Sequence, residues 1–439
     1  MLRMAYRLLW RVLLPFALLR LWWRGRKESG YRQHVGERLG FYRPRANPDR
    51  PLLWVHAVSV GETRAAQPLI DALLARFPQH DVLLTHMTPT GRRTGAEFAA
   101  QRNGRVVIQA YLPYDLTGAV DRFLRHFQPR LGLLMETEIW PVLIERAHHA
   151  GVPMVLVNGR LSARSHRRTA RLGQAARETY AQLAAVLAQT PDDADRYRSL
   201  GVPRVRVTGN LKFDITPHVD QIMAGRALCD ALCGRAVWVA ASTREGEEPL
   251  LLDAWHAHRA QHAGRRHPLL ILVPRHPQRF DEVAQLAGIK GFRVVRRSAL
   301  SLSAAEVLDV ADALDADILL GDSMGEMALY YAAAQAAFIG GSLLPMGGQN
   351  LIEACAVGTP VVIGPHTFNF AQATRDAVAA GACVQVEDAA STVRVIDQWL
   401  SDADAREAAS RAALAFAATH GGATARTVEA VAALVLPSL

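Results

Sequence analysis

The chain reads as an α/β protein built from two doubly wound, Rossmann-like domains. From residue 50 onward short apolar runs alternate with helical stretches, the pattern of parallel strands joined by crossover helices. The runs number fourteen, more than one strongly twisted open sheet comfortably holds, so two sheets are the economical solution. With 439 residues, half of them apolar, the chain has enough material for two domains that each bury a core.

At the start stands MLRMAYRLLWRVLLPFALLRLWWRGRK, rich in Leu and Trp. Its longest uncharged apolar run, Val12 to Leu19, falls short of the roughly 20 residues of a bilayer-spanning helix. Arg3, Arg7 and Arg11 recur every four residues, Pro15 is expected to kink the helix, and Arg20, Arg24, Arg26 and Lys27 flank Trp22 and Trp23. This pattern predicts a helix lying in the headgroup layer; the alternative is a soluble amphipathic helix packed on its domain. A cleaved signal peptide fits poorly, because the apolar region is interrupted and RGRKESG lacks small residues at a cleavage position.

The first series of strands is Leu52 to Val58, Asp81 to His86, Val106 to Gln109, Leu131 to Met135, Met154 to Val157, Ala185 to Ala188 and Val205 to Thr208. The second is Val237 to Ala241, Leu269 to Val273, Phe292 to Val295, Asp317 to Leu320, Ala337 to Ile339, Pro360 to Ile363 and Cys383 to Val386. The domain boundary is expected near 210–235, giving a membrane-associated helix at 1–27, a first domain at 28–215 and a second at 216–439.

A formal charge of +9 favours anionic partners: nucleic acid, phospholipid headgroups or a phosphorylated substrate. Cys229, Cys233, Cys355 and Cys383 contain no CxxC pair, so neither a zinc site nor a disulfide framework is indicated, and reduced thiols in a cytosolic setting are expected. No G-x-G-x-x-G follows the first strand, and Walker A, H-E-x-x-H and G-x-S-x-G motifs are missing. Dehydrogenase, P-loop, zincin and α/β-hydrolase readings therefore weaken. Asp315 and Asp317 form a D-x-D, but they precede their strand, which favours a loop role over a metal site.

Several charged residues fall just beyond strands, where ligands collect on a parallel sheet. Glu62, in HAVSVGE, is either a first-turn residue favoured by the helix dipole or a base at the sheet edge. METEIWP sets Glu136 and Glu138 at an equivalent place, and whichever points inward approaches Glu62. Lys212, in LKFD, is one of only three lysines in an arginine-rich chain. In the second half, Arg275 ends an apolar strand in LVPRHPQRF, and its planar fork suits a phosphate. Gly325 and Glu326 lie on the loop GDSMGEM. The stretch from 338 to 370 holds the pairs Gly340–Gly341 and Gly347–Gly348 before Asn350 at a helix start, where N–H groups can meet a phosphate. Asn350 and Glu353 equally fit a capping box. The ensemble of glycine pairs, helix Glu and GTPVV strand looks like the nucleotide-sugar half of a two-Rossmann glycosyltransferase.

At these residues the sequence resembles the 3-deoxy-D-manno-octulosonic acid (Kdo) transferases of lipopolysaccharide assembly. The matching stretches are RLWWRGRK, YRQHVGERLGFY, HAVSVGE, TPTG, YLPYDL, METEIWP, RLSARS, LKFD, LVPRHPQRF, GDSMGEM, GGSLLPMGGQN and GPHTFNF, in order along nearly the whole chain. The resemblance implies a GT-B fold, an acceptor-side first domain, and a second domain that binds CMP-Kdo as donor. It implies inverting transfer to a lipid A precursor of the lipid IVA type at the cytoplasmic face of the inner membrane, with its anionic leaflet, and without cofactor, metal or nucleic acid. Carried over, Glu62 resembles the general base, and Glu136 and Lys212 resemble residues that stabilise the transition state. The CMP-binding positions correspond to Pro274, Arg275, Gly325, Glu326, Met327, Asn350, Leu351, Ile352 and Glu353. Gln349 and Leu351 stand where many members have His and Pro, so local donor contacts are expected to differ. Competing readings are another GT-B transferase, a UDP-sugar epimerase, or a non-catalytic membrane-bound binder of nucleotide or lipid.

Overall fold

A computed structural model describes residues 2–26, 28–102, 107–262, 264, 266–302, 307–308 and 315–435. Lys27, Val106 and the side chain of Arg3 lie outside the described residues. The chain divides into two compact units, Met1–Ile215 with Gly421–Leu439, and Thr216–His420.

The first unit carries seven parallel strands: β1 (Leu52–His56), β2 (Asp81–His86), β3 (Val107–Tyr111), β4 (Leu131–Met135), β5 (Met154–Gly159), β6 (Ala185–Ala188) and β7 (Val205–Val207). Their spatial order is β3-β2-β1-β4-β5-β6-β7, so the chain reverses direction across the sheet between β1 and β4. The helices are α1 (Leu2–Arg24), α2 (Val60–Arg76), α3 (Pro89–Ala100), α4 (Thr117–Phe127), α5 (Pro141–His149), α6 (Ala163–Ala170), α7 (Gln174–Ala181) and α8 (Pro191–Ser199). Alternate residues of β1 serve opposite faces. Leu53 and Val55 pack in one core with Ala65, Leu69 and Leu73 of α2, while Leu52 and Trp54 join Phe123 and Ile144 in the other. Burial on both faces is why these strands read as unbroken apolar runs.

The second unit repeats the plan. Its strands are β8 (Val237–Thr243), β9 (Leu269–Pro274), β10 (Val294–Arg296), a short antiparallel ribbon of β11 (Ser301–Leu302) and β12 (Val307–Leu308), then β13 (Ile318–Leu320), β14 (Ala336–Ile339), β15 (Val361–Ile363) and β16 (Cys383–Gln385). The main sheet is parallel, in the order β10-β13-β9-β8-β14-β15-β16. All fourteen expected strands are present in these two sheets, with ends shifted by a residue or two. Leu52 to Val58, for instance, stops at His56, because Val58 offers its N–H to Glu62 and its carbonyl to Thr88 instead of to the sheet.

The last segment differs from the expectation that 216–439 forms one domain. Asp214 accepts N–H bonds from Gly422 (2.6 Å) and Thr424, and the helix Ala423–Val435 buries Ala423, Ala430 and Val431 in the core beside α2. That apolar stripe fits the first unit, so the chain returns there to end.

Candidate functional site

Glu62 sits where β1 gives way to α2. Ser59 caps that helix by accepting the Glu62 N–H (3.4 Å), and the Glu62 carboxylate accepts from the Val58 N–H (2.8 Å) and the Ser59 hydroxyl (3.2 Å). The residue braces the first turn of α2 and stands at the sheet edge, the place both readings gave it. The start of α3 backs this loop. Thr88 donates to the Val58 carbonyl (3.0 Å), and a Cβ on Gly91 would stand 3.1 Å from that same oxygen, so TPTG is a packing motif here. Burial pushes the Glu62 pKa up to about 7, aided by Glu136 and Glu138 and opposed by the Val58 N–H. The nearby buried histidines offer no cation in compensation, because burial holds His56 down to about 3 and His86 to about 4.

Glu136 follows β4 in a left-handed conformation, φ 55°, which costs a residue with a Cβ on the order of 1–2 kcal/mol. It is over-determined by its surroundings. The Glu136 N–H donates to Val157 (2.9 Å), its carbonyl accepts from the Arg160 N–H (3.2 Å), and its carboxylate pairs with Lys212 Nζ at 2.7 Å. Lys212 is held in turn, because Asn158, itself at φ 54°, accepts the Leu211 N–H (3.0 Å), and Asn210 accepts the Lys212 N–H (3.0 Å). Glu138 instead accepts from Trp140 Nε1 (2.9 Å), and burial raises its pKa. Of the two METE carboxylates, Glu136 is thus the one tied to lysine. Glu62, Glu136, Glu138 and Lys212 gather at the C-terminal edge of the first sheet.

The second unit holds its carboxylates differently. The buried Glu247, in the helix Glu247–Gln261, accepts the N–H groups of Arg244 (2.8 Å), Gly341 (2.6 Å), Ser342 (2.9 Å) and Leu343 (2.9 Å). Gly340 lets this loop approach, since a Cβ there would lie 2.6 Å from the Ser242 carbonyl oxygen. The Gly341 N–H therefore serves Glu247, and the Gly348 N–H bonds to Gly341 (2.6 Å), so neither offers a ready donor to a phosphate. Asn350 accepts the Ile352 N–H (3.2 Å) and its side chain donates to Glu353 (2.9 Å), while the buried Leu351 holds the N-cap position of the short helix Ile352–Ala356 without a side-chain cap, so the expected capping box is not formed. Glu326 pairs with Arg297 (2.7 Å) and accepts from Ser323, and the Gly325 carbonyl accepts from Gln221 (2.9 Å), just before Met327 opens a helix.

Cationic groups cluster after β8 and β9. Pro274 is buried, and Arg275 is exposed, its N–H bonded to Thr243 (2.9 Å). The pKa of His276 is lowered by burial and by Arg244, Arg275 and Arg279, which marks a concentration of positive charge. Arg279 is bound to Glu248 (2.7 Å). Arg244 did not stand out in the sequence reading. Its only cue is its place just past a strand, in ASTREGEE. Asp315 and Asp317 sit at the opposite edge, before β13, where Asp317 pairs with Arg259 (2.6 Å) and Asp315 with Arg293 (3.5 Å).

Helix α1 packs on the first unit along one side and exposes apolar residues on the other. Tyr6 donates to Asp115 (2.9 Å), Arg7 pairs with Glu145 (2.7 Å), Trp10 stacks on Tyr114, and Leu14, Leu18 and Leu21 pack with Tyr114 and Met87. The expected basic stripe thus turns partly inward at Arg7, and the helix runs on through Pro15. Its other side exposes Met4, Leu8, Leu9, Val12, Leu13, Phe16, Leu19, Trp22 and Trp23. Met87, Tyr114 and Asp115 follow β2 and β3, so α1 lies along the edge that carries Glu62. No helix of the described residues is long and apolar enough to cross a membrane.

A profile described as 3-deoxy-D-manno-octulosonic-acid transferase (kdotransferase) matches residues 33–215, and one described as glycosyl transferases group 1 matches residues 315–415. A 3-deoxy-D-manno-octulosonic acid transferase of Bordetella pertussis is 48% identical over 435 residues, 98% of each chain. The protein of that name from Haemophilus influenzae is 37% identical, covering 87% of this chain and 86% of its own. Among solved structures, the UDP-GlcNAc 2-epimerase of Neisseria meningitidis shares the fold, with a TM-score of 0.57 at 14% identity over 87% of this chain and 99% of that one. The two parallel-sheet domains are of the GT-B type.

Proposed function

The chain belongs to the Kdo transferase family, glycosyltransferases of lipopolysaccharide biosynthesis, and we propose that it moves Kdo from CMP-Kdo to a lipid A precursor of the lipid IVA type, with inversion and without a metal. The observation that carries the mechanism is Glu62: a carboxylate raised to about 7 takes up a proton near neutral pH far better than an ordinary one. In the reaction an acceptor hydroxyl oxygen forms a bond to the anomeric carbon. The bond from that carbon to the CMP phosphate oxygen breaks, its electron pair leaves with CMP, and the hydroxyl proton goes to Glu62. Glu136 and Lys212 form a fixed ion pair beside that base and favour the charge that develops during transfer.

The second unit holds the donor. Arg244 and Arg275 face the nucleotide phosphate as it gains charge, and the Asn350 to Glu353 segment and the Gly325 to Met327 loop form the rest of the CMP site. Guanidinium charge in this role makes a divalent ion dispensable, and the arginine pairing of Asp315 and Asp317 supports the metal-free reading. The exposed apolar side of α1 supports attachment to the cytoplasmic face of the inner membrane, where such an acceptor resides.

The test is the mass and anomeric configuration of the product from CMP-Kdo and a defined lipid A precursor, with EDTA present. A Kdo adduct of inverted configuration is expected. Retention, dependence on added magnesium, or transfer from UDP-sugars instead of CMP-Kdo would each overturn the corresponding part of the reading.

A further inference from the structure

We propose that the outward face of α6 is a second membrane contact, a row of arginines that takes the phosphates of anionic bilayer lipids. The inference rests on reading this protein as an enzyme that works at a lipid surface. Between residues 160 and 171 the chain has five arginines and no acidic residue. Arg164, Arg167, Arg168 and Arg171 fall at i, i+3, i+4 and i+7, so they share one face of the helix. All four are exposed, and among the described residues none makes a side-chain hydrogen bond or ion pair. Many arginines elsewhere in this unit are paired, among them Arg7, Arg50, Arg92, Arg102, Arg146, Arg196 and Arg198.

Such an arrangement works against the helix, because like charges three and four residues apart repel. No residue of α6 is buried, so packing does not compensate. The helix is fastened from the other side, where the His166 ring meets the Ser199 hydroxyl of α8 at 2.8 Å, leaving the arginine row turned outward. The four charges extend along about 10 Å of helix axis. That is a line, suited to several phosphates of a surface, whereas one bound phosphate calls for groups converging on a point. Leu172, 53% exposed, ends the row with an apolar side chain.

Only the start of α6 stands at the sheet edge that carries Glu62: the Leu161 N–H meets Asp193 in the first turn of α8 and His166 meets Ser199 in its last, so the arginine row runs back along the flank of the unit beside α8. A bilayer held there would meet the first unit with charge on α6 and with apolar side chains on α1.

Co-sedimentation of the full chain with phosphatidylglycerol-containing and pure phosphatidylcholine vesicles, across a salt series, tests this. R167Q/R168Q is compared with R76Q/R130Q, a control that removes the same charge from exposed sites on other elements of the same unit. The first pair is expected to weaken binding to anionic vesicles on the order of tenfold, flatten its salt dependence and leave binding to neutral vesicles unchanged. R167K/R168K should restore most of the loss, and the control should bind as wild type does. Equal binding by R167Q/R168Q and wild type overturns the proposal, as does an equal loss in the control, which would mean net charge alone. A loss seen only with duplex DNA would assign the row to nucleic acid instead. Absence of Kdo transfer by the wild-type chain is a separate outcome: it removes the catalytic reading and leaves the vesicle comparison standing.

Discussion

At the C-terminal edge of the first sheet, burial and then the neighbouring Glu136 and Glu138 raise the pKa of Glu62 to about 7, against two hydrogen-bond donors that lower it. At the matching edge of the second sheet, Glu247 is fully buried yet accepts four backbone N–H bonds. Glu248 next to it in the chain and Glu326 after β13 are each held by a guanidinium. In the second unit buried carboxylates are met by N–H groups or guanidinium and shape loops. In the first, a carboxylate is kept short of compensation and so binds a proton readily. One architecture serves both, and the neutralisation of the acids decides which task an edge performs.

The largest expected effect separates the edges directly. Glu62→Gln should lower turnover by roughly 10²- to 10⁴-fold while calorimetric CMP affinity stays near wild type. Arg275→Gln should do the converse first, weakening CMP by about tenfold, the loss of a charge-assisted contact to phosphate. A Glu62→Gln protein that turns over normally, or that loses CMP binding along with rate, would break the division of labour.

Next comes Glu247→Ala. Removing a buried carboxylate leaves four N–H groups without their acceptor, so a loss of roughly 3–5 kcal/mol of stability is expected, together with weaker CMP binding. Thermal melting and CMP titration of the same sample measure both. Unchanged melting would mean that the GGSLL loop is held by something other than Glu247.

Much of this was legible in the sequence, for physical reasons. Parallel strands buried on both faces leave apolar runs such as Leu131 to Met135, and residues just past those runs occupy the edge by construction. What stayed hidden depends on distant partners. The return of the last helix rests on Asp214 meeting Gly422 and Thr424, some 208 and 210 residues away, and nothing local marks it. The left-handed turn at Glu136 leaves no trace either, because neither a glycine nor an asparagine stands there. GGSLL and GGQN read as phosphate-binding glycine loops, yet Gly341 donates to Glu247 and Gly348 to Gly341, contacts that only the fold reveals.

A smaller effect probes the coupling at the first edge. The kcat/KM of the wild type should fall about tenfold per pH unit on the acid side of about 7, because Glu62 must be ionised to accept a proton. Glu136 raises that pKa by repulsion, so Glu136→Gln should move the acid limb to lower pH, by up to about one unit, whatever it does to the plateau rate. Glu138→Gln should move it the same way by less, since its carboxylate contributes less to the rise. A limb that stays in place in both variants would mean that Glu62 is not the titrating group.

The smallest effect concerns stability and runs against activity. Folding raises the Glu62 pKa from 4.5 to about 7, so the folded state binds the proton more tightly than the unfolded chain does. The stability this confers is fully present below about pH 4.5 and is lost as pH rises through about 7. A shift of that size corresponds to as much as about 3 kcal/mol, at 1.36 kcal/mol per unit. The Glu62→Gln side chain does not titrate, so relative to wild type this variant should gain stability with rising pH. The net gain above pH 8 should be smaller, roughly 1–2 kcal/mol, because the new amide carbonyl accepts from Val58 or Ser59 but not from both in the same way. Melting curves of both proteins at pH 5 and pH 8 make the comparison. If the difference in melting temperature is the same at both pH values, Glu62 titrates alike in the folded and unfolded chain, and the carboxylate is only a helix brace. If the variant is relatively more stable at pH 8 and inactive there, the same burial and repulsion that destabilise the charged carboxylate are what prepare the base.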